Sequence, residues 1–175
     1  MKKILLASLI ATATTASFAA PTTVIGGKVT INGQITAGAC AISSDDANKV
    51  VTLDTIPSHK FTAANQEANT KKPFTITLVD CDTSAANTVN LTFTGMSDST
   101  VTTALANTAG AGSAKNVAVQ LYQDNGSVLP LNTASRSYNI SSTVPMMFAA
   151  DYISTAAAVT AGKVLAVADF QLTYQ

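Results

Sequence analysis

Short runs of alternating apolar and polar residues recur along the chain, and no long helical period interrupts them. Residues 74–79, 89–94 and 117–122 alternate one by one, and each run is followed by a turn signal. Further extended runs lie at 49–53, 127–131 and 144–153. Because successive side chains of a strand point to opposite faces, this two-residue period predicts half-buried β-strands. Many short strands separated by turns, such as Asp124-Asn125-Gly126, predict an all-β sandwich.

The strictest alternation occupies the last eleven residues. One face carries Ala166, Ala168, Phe170, Leu172 and Tyr174, while the other carries Val167, Asp169, Gln171, Thr173 and Gln175. This pattern predicts a half-buried final strand. It continues to the last residue, where chains are usually frayed, and we therefore expect a partner to hold this end.

Two stretches do not fit the strand pattern. Residues 104–115 are rich in Gly and Ala, which predicts a loop with a helical turn near 102–106. Residues 58–72 are polar, which predicts a connection with a short helix around 63–68. No internal repeat or boundary between two folded domains is evident.

The first 19 residues have the three parts of a secretory signal peptide. Lys2 and Lys3 precede an apolar run at 4–11, and small residues lead to a predicted cleavage site after Ala19. A membrane anchor is the alternative, but spanning a bilayer takes about 20 apolar residues, and Thr12, Thr14 and Ser17 interrupt this run. We therefore predict export.

Composition narrows the range of functions. Removing residues 1–19 from the 175-residue chain leaves 156, the size of one domain, with eight basic and ten acidic residues. With this balance of charges, the sequence does not predict the excess of basic residues that binding to nucleic acid or to an anionic membrane requires. No later apolar stretch is long enough to insert into a membrane.

The two cysteines, Cys40 and Cys81, predict a disulfide. An isolated pair in an exported protein usually forms one. Metal binding is the alternative, but two thiols make half a site, and the one histidine, His59, has no matching spacing.

Catalytic chemistry finds little support in the sequence. Glu67 is the single glutamate, and the carboxylate pairs Asp45-Asp46 and Asp80/Asp82 lie in a polar turn and around a cysteine. Gly26-Gly27 precedes no helix that could cradle a phosphate. We predict neither an enzyme nor a cofactor or metal.

A separate alternating segment precedes the first cysteine. Thr23, Ile25, Gly27, Val29 and Ile31 share one face, and Asn32-Gly33 follows. One hypothesis is an ordinary first strand of this chain's own sandwich. The other is a mobile arm, and because exposed apolar strands invite edge pairing, such an arm would pair with another copy.

The chain resembles the major subunits of type 1-like fimbriae assembled by the chaperone–usher route. The matching residues are 22–29, Gly33 and Ile35 before Ala39-Cys40, the second cysteine within 78–82, and the end at 168–175 with its penultimate Tyr174. In order and spacing these segments span essentially the whole mature chain.

The resemblance implies an incomplete immunoglobulin-like sandwich that lacks its final strand. Its groove would lie between the first and C-terminal strands, and a periplasmic chaperone and then the arm of another subunit would fill it by β-strand addition. The donor residues would be Thr23, Ile25, Gly27, Val29 and Ile31. The groove wall and chaperone-capture residues would be Phe170, Leu172, Tyr174 and Gln175, with the terminal carboxylate gripped by basic chaperone residues.

The sequence thus predicts a signal peptide (1–19), a donor-strand arm (20–32) and a pilin domain (33–175). The predicted function is a structural subunit of a bacterial surface fimbria that polymerises by donor-strand exchange and supports adhesion. Its partners would be other fimbrial subunits, the chaperone and an outer-membrane usher. The alternative is an exported monomeric β-sandwich binding module or a minor fimbrial subunit.

Overall fold

The computed structural model describes residues 26–31, 33, 35 and 38–175. The chain divides into two units, Met1–Ile35 and Thr36–Gln175. In the first unit the described residues have no regular secondary structure, and the side chains of Val29 and Ile31 are 86% and 89% exposed. The predicted signal peptide and the predicted donor residues Thr23 and Ile25 lie outside the described residues.

The second unit is a two-layer β structure. Its strands form a five-stranded sheet in the order β1-β2-β7-β5-β4 and a three-stranded sheet in the order β6-β3-β8. Within the described residues no helix is long or apolar enough to cross a bilayer. The strands are β1 (Ala41–Ile42), β2 (Lys72–Val79), β3 (Thr88–Gly95), β4 (Leu105–Ala106), β5 (Val117–Gln123), β6 (Tyr138–Asn139), β7 (Thr143–Ser154) and β8 (Ala168–Tyr174).

The five clearest predicted strands are confirmed as β2, β3, β5, β7 and β8, and so is the all-β class. Strands at 49–53 and 127–131 were wrong predictions. Residues 49–53 form no strand ladder, and 127–131 contribute one isolated bridge, between Tyr122 and Val128. The turn between β5 and this bridge is confirmed, with Gly126 at φ +81° and its N–H donating to the Gln123 carbonyl.

The two helical predictions were also wrong. Residues 63–65 form a turn, because the Gln66 side chain accepts the N–H groups of Thr62 and Ala63. The Ala68 N–H then donates to the Tyr152 carbonyl of β7, so it is not available to a helix. Near 102–106 the chain turns and enters β4, and the one short helical segment described is a 3₁₀ turn at Ser58–Lys60.

Strand β5 is buried on both faces, although its sequence alternates. Val117, Val119 and Leu121 face the interior of the sandwich, while Ala118, Gln120 and Tyr122 are buried on the other face. Tyr122 lies under Lys71, whose Nζ is 4.1 Å from the ring centroid, and Gln120 contacts Thr103. The connections before β2 and β4 therefore cover the outer face of β5.

The core between the sheets is built on packed aromatic rings. Phe93 of β3 stacks edge-on against Phe148 of β7 at 5.1 Å, and it also contacts Phe74 of β2 and Phe170 of β8. These inward rings follow from the alternation of each strand, and they tie β8 to the first sheet across the interior.

The predicted disulfide between Cys40 and Cys81 is present. It joins the residue before β1 to the second residue after β2, and the Asp82 N–H donates to the Ala39 carbonyl beside it. This link fixes the start of the second unit to one corner of the first sheet.

Candidate strand-addition groove

Strand β8 is an edge strand, paired only with β3 among the described residues. Gln175 and Thr88 exchange both backbone hydrogen bonds, at 2.9 Å each. Because such pairs alternate along an antiparallel ladder, the odd-numbered residues of β8 face β3. The backbone groups of Ala168, Phe170, Leu172 and Tyr174 therefore point to the free edge.

The side chains of these four residues line the inner face of the sandwich without being fully buried. They pack against the core cluster, yet each remains half-buried. In β3, directly opposite, Val89, Leu91 and Phe93 are buried. The difference indicates that the core is open beside β8, where one more strand would cover it.

The open side of the sandwich also exposes part of the first sheet. Leu53 and Phe74 are half-buried hydrophobic residues packed against the same core cluster. A cleft of 330 Å³ separates residues 49–52 from residues 72–75 of β2. On the side of the first sheet, the opening is therefore lined by residues 49–53 and β2.

The edges of β5 and β2 are covered or blunted in the described part of the chain. Beyond β4, the edge of β5 is covered where the Leu129 N–H donates to the Leu121 carbonyl. On β2 the Thr77 N–H is taken by the Asp46 carboxylate, and Pro73 has no N–H to offer. Proteins usually protect exposed edges in these ways, and the long edge of β8 is the exception here.

Tyr174 closes one end of this open side. Its hydroxyl donates to the Cys40 carbonyl at 3.4 Å, and its ring lies so close to Gly38 that a Cβ there would be 3.1 Å from Cε2. Burial raises the pKa of Tyr174, with the Cys40 bond acting in the opposite direction. The sequence did not predict a role for Gly38, because its neighbours in the chain do not indicate that a ring from the last strand packs against it.

Gln175 extends the β3–β8 ladder by one pair. One oxygen of its terminal carboxylate accepts N–H groups from both Asn87 and Thr88, at 2.8 and 2.9 Å. The end of β8 is thus held to β3 within the chain, while its inner face and free edge remain open.

Three of the predicted donor residues are described, in the first unit. Gly27 has a φ of +147°, which L side chains rarely adopt, and no other residue lies within 4 Å of a Cβ built on it. Val29 and Ile31 expose nearly their whole side chains. Apolar side chains this exposed need a partner surface to leave water.

The carboxylate pairs that the sequence singled out have structural contacts. Asp46 accepts hydrogen bonds from the Thr77 N–H and from the Lys49 ammonium, which hold its pKa below the usual value although burial raises it. Asp82 accepts the N–H and hydroxyl of Ser84. The described residues contain no group of three potential metal ligands.

Comparison with known proteins identifies the family of this architecture. The family model described as fimbrial protein matches residues 29–175. The chain belongs to the fimbrial protein family. It is 34% identical to the laminin-binding fimbrial subunit ElfA of Escherichia coli O157:H7, with 99% of each chain covered. It is 33% identical to the probable major fimbrial subunit LpfA of the same organism, over 85% of this chain and 84% of that one.

Solved structures of fimbrial proteins share the fold. A subunit of a chaperone–usher pilus matches with a TM-score of 0.71 at 28% identity, covering 89% of this chain and all of that one. A type I fimbria protein of Burkholderia pseudomallei matches with a TM-score of 0.60 at 33% identity, over 79% and 91% of the two chains. The immunoglobulin-like fold of chaperone–usher pilins is confirmed, and the chain is a structural pilin subunit of a surface fimbria. The family consists of structural subunits, which polymerise with one another.

Proposed function

We propose that this fimbrial subunit polymerises by donor-strand exchange, in which the arm of one copy fills the open side of the next. The observation that carries the proposal is the free edge of β8, whose outward backbone groups lie beside a half-buried apolar inner face. An added strand would satisfy those backbone groups and bury that face in one step.

The arm has the chemistry that this groove needs. Ile25, Val29 and Ile31 would provide large aliphatic side chains on one face, each worth about 1.5–3 kcal/mol when fully buried. Thr23 would occupy the far end, and Gly27 would fit where the groove is shallow. Backbone pairing along β8 would add to this energy.

A periplasmic chaperone would use the same surface first. Phe170, Leu172 and Tyr174 would contact its strand, and Gln175 would bring the terminal carboxylate to its basic residues. The disulfide supports this route, since such bonds form in an oxidising compartment. An outer-membrane usher would then exchange the chaperone for the next arm at the cell surface.

The role we propose is structural and not catalytic. Asp46 and Glu67, two carboxylates whose pKa lies below the usual value, form ion pairs with nearby lysines of the same chain. Both carboxylates stabilise local turns through these ion pairs. We therefore propose no catalytic role for either of them.

Deleting residues 20–32 tests the proposal. The mature chain without its arm should be unstable alone, because its open side stays uncovered, and a peptide matching residues 22–31 should raise its unfolding temperature. Wild-type chain with and without the chaperone is the reference, and a peptide with the same composition in scrambled order is the matched control.

The same experiment distinguishes polymerisation from a monomeric binding module. A self-contained sandwich would fold without arm, peptide or chaperone, and its unfolding temperature would not respond to the peptide. That result would overturn donor-strand exchange for this chain.

A further inference from the structure

Three large apolar side chains are exposed together at one end of the β3–β8 sheet. Met96, Leu165 and Val167 are 67%, 54% and 63% exposed. We call these three residues the apolar end. Single exposed hydrophobic residues are common on protein surfaces. A cluster of them is typical of an interaction surface.

The three side chains belong to the same outer face. The β3–β8 ladder ends at the Gly95–Ala168 pair, and Met96 and Val167 are the residues directly beyond that pair in the two chain segments. Val164 and Ala166 pack against the core, which leaves the intervening Leu165 and the following Val167 on the outside. The three residues of the apolar end therefore all lie next to the point where the β3–β8 ladder ends.

Hydrogen bonds hold the backbone beneath these side chains. The Leu165 carbonyl accepts the N–H and the hydroxyl of Thr108, and its N–H donates to the Asn107 side chain. The Met96 carbonyl accepts the Ala106 N–H. The apolar end is thus a preorganised surface, which lowers the entropic cost of docking.

The opposite end of this outer face is polar. Beyond Val167 the outward residues of β8 are Asp169, Gln171 and Thr173, and they stand opposite Thr94, Thr92 and Asn90 of β3. An apolar contact surface on this face exists only where β8 begins.

The direction of strand addition decides which end meets the donor's folded unit. All the pairings among β1–β8 are antiparallel, and this arrangement is the more stable per residue. An antiparallel arm would place its Ile31 beside the start of β8. From Ile31 to Thr36, where the second unit begins, five residues reach at most about 18 Å.

We propose that the apolar end is the docking surface for the folded unit of the arm-donating copy of this chain. The inference rests on the proposed function, because the arm is what brings that unit to the start of β8. Docking there would bury Met96, Leu165 and Val167 and would set how stiffly consecutive subunits are joined.

Photo-crosslinking in assembled fibres tests the contact. A benzophenone amino acid replaces Val167 in one full-length variant and Thr173, at the polar end of the same strand face, in the matched control. Irradiation should yield subunit dimers at position 167, with the crosslinked peptide coming from residues 33–175 of the neighbour. Efficient crosslinking at 173 with none at 167 would overturn the inference.

A second measurement separates this contact from strand exchange itself. The full mature chain carrying Leu165→Thr and Val167→Thr should capture a labelled arm peptide, residues 20–32, as well as wild type does. Its fibres should dissociate at least about tenfold faster in denaturant, which corresponds to about 1.4 kcal/mol. Val128→Thr with Met147→Thr serves as the control for loss of exposed apolar residues elsewhere.

The outcomes are distinguishable. Failure of wild-type chain to capture the peptide would contradict the proposed function. Normal capture together with fibres as durable as wild type would leave strand exchange intact and overturn the docking surface.

Discussion

The side chain of Asp46 stabilises one corner of the fold through its charge. It is buried, and it accepts hydrogen bonds from the Thr77 N–H and the Lys49 ammonium. It therefore blocks the edge of β2 at Thr77 and anchors the turn that follows β1. Burial raises its pKa, but the Lys49 and Thr77 bonds outweigh this effect and leave the pKa below its value in the unfolded chain.

We expect Asp46→Asn to lower the free energy of unfolding by about 1–3 kcal/mol at pH 7, because a buried charge-assisted bond is lost. A lowered pKa means that the ionised carboxylate stabilises the fold above its unfolded pKa of about 3.9. This contribution is lost as the pH falls through the lower folded value. Urea unfolding of the peptide-complemented subunit at pH 7 and pH 3 measures the difference.

Asp45→Asn, at the exposed neighbouring position, is the control and should change little at either pH. A penalty for Asp46→Asn that is as large at pH 3 as at pH 7 would contradict the electrostatic explanation.

Gly162 allows two loops to approach each other before β8. A Cβ on this residue would lie 2.7 Å from the Gly112 carbonyl oxygen and closer still to Ala114. Backbone bonds join the same loops, including Ala114 N–H to the Lys163 carbonyl.

Gly162→Ala should therefore destabilise the subunit by about 1–3 kcal/mol, as overpacking commonly does. Thermal unfolding checks this, with Ala161→Ser as the exposed neighbouring control. An unchanged unfolding midpoint would show that the loops separate without cost.

At the level of single residues, the sequence predicted the disulfide bond but not the packing contacts of individual glycines. Cys40 and Cys81 could be paired because they are the two cysteines of an exported chain. Gly38 and Gly162 could not be interpreted, because the atoms that require a glycine belong to Tyr174 and Ala114, remote in sequence.

Strand β8 has two chemically different edges. The N–H of Asp169 faces β3, where Thr94 is its partner, while the N–H of Ala168 faces the free edge. Adjacent residues of one strand can therefore be used to separate folding from strand addition.

We expect Asp169→Pro to prevent folding, because proline removes a donor from the β3–β8 ladder. Ala168→Pro should leave the fold intact and weaken capture of the arm peptide by about tenfold, since one backbone bond is worth about 0.5–1.5 kcal/mol. Near-ultraviolet circular dichroism follows folding, and fluorescence anisotropy of labelled peptide follows capture. Equal behaviour of the two variants would be inconsistent with the assigned edge.

At the level of elements, alternation predicted the strands that have long ladders. The strand prediction failed for residues 49–53, which are rich in β-branched residues but form no strand ladder. It also overestimated the exposure of β5, because the connections that cover Ala118 and Tyr122 are distant in sequence. The alternation of residue types indicates which face of a strand a side chain is on. The hydrogen-bonding partner of the strand, and the segments that cover its faces, depend on other parts of the chain.

In the proposed polymer, the arm of one copy must match the groove of another. Gly27 lies on the proposed groove-filling face, while Thr30 lies on the opposite face. A large charged side chain should be excluded from the first position and accepted at the second.

Gly27→Arg should block polymerisation while leaving chaperone capture intact, because we propose that the chaperone binds β8 and not the arm. Thr30→Arg is the matched control and should polymerise normally. Electron microscopy of surface fibres and co-purification with the chaperone measure the two properties. Polymers of normal length from Gly27→Arg would refute the pocket assignment.

The sequence by itself determined the all-β class, the disulfide and the family resemblance. Each of these depends on the local alternation of apolar and polar residues or on particular residue types at fixed spacing. The sequence also pointed to a final strand with one apolar face. Only the tertiary structure decided that β8 is an edge strand, that the backbone groups of its even-numbered residues point to the free edge, and that Met96 lies next to the end of the β3–β8 ladder. These facts depend on which segments become neighbours, and hydrogen-bond partners across a sheet are set by the packing of the whole chain.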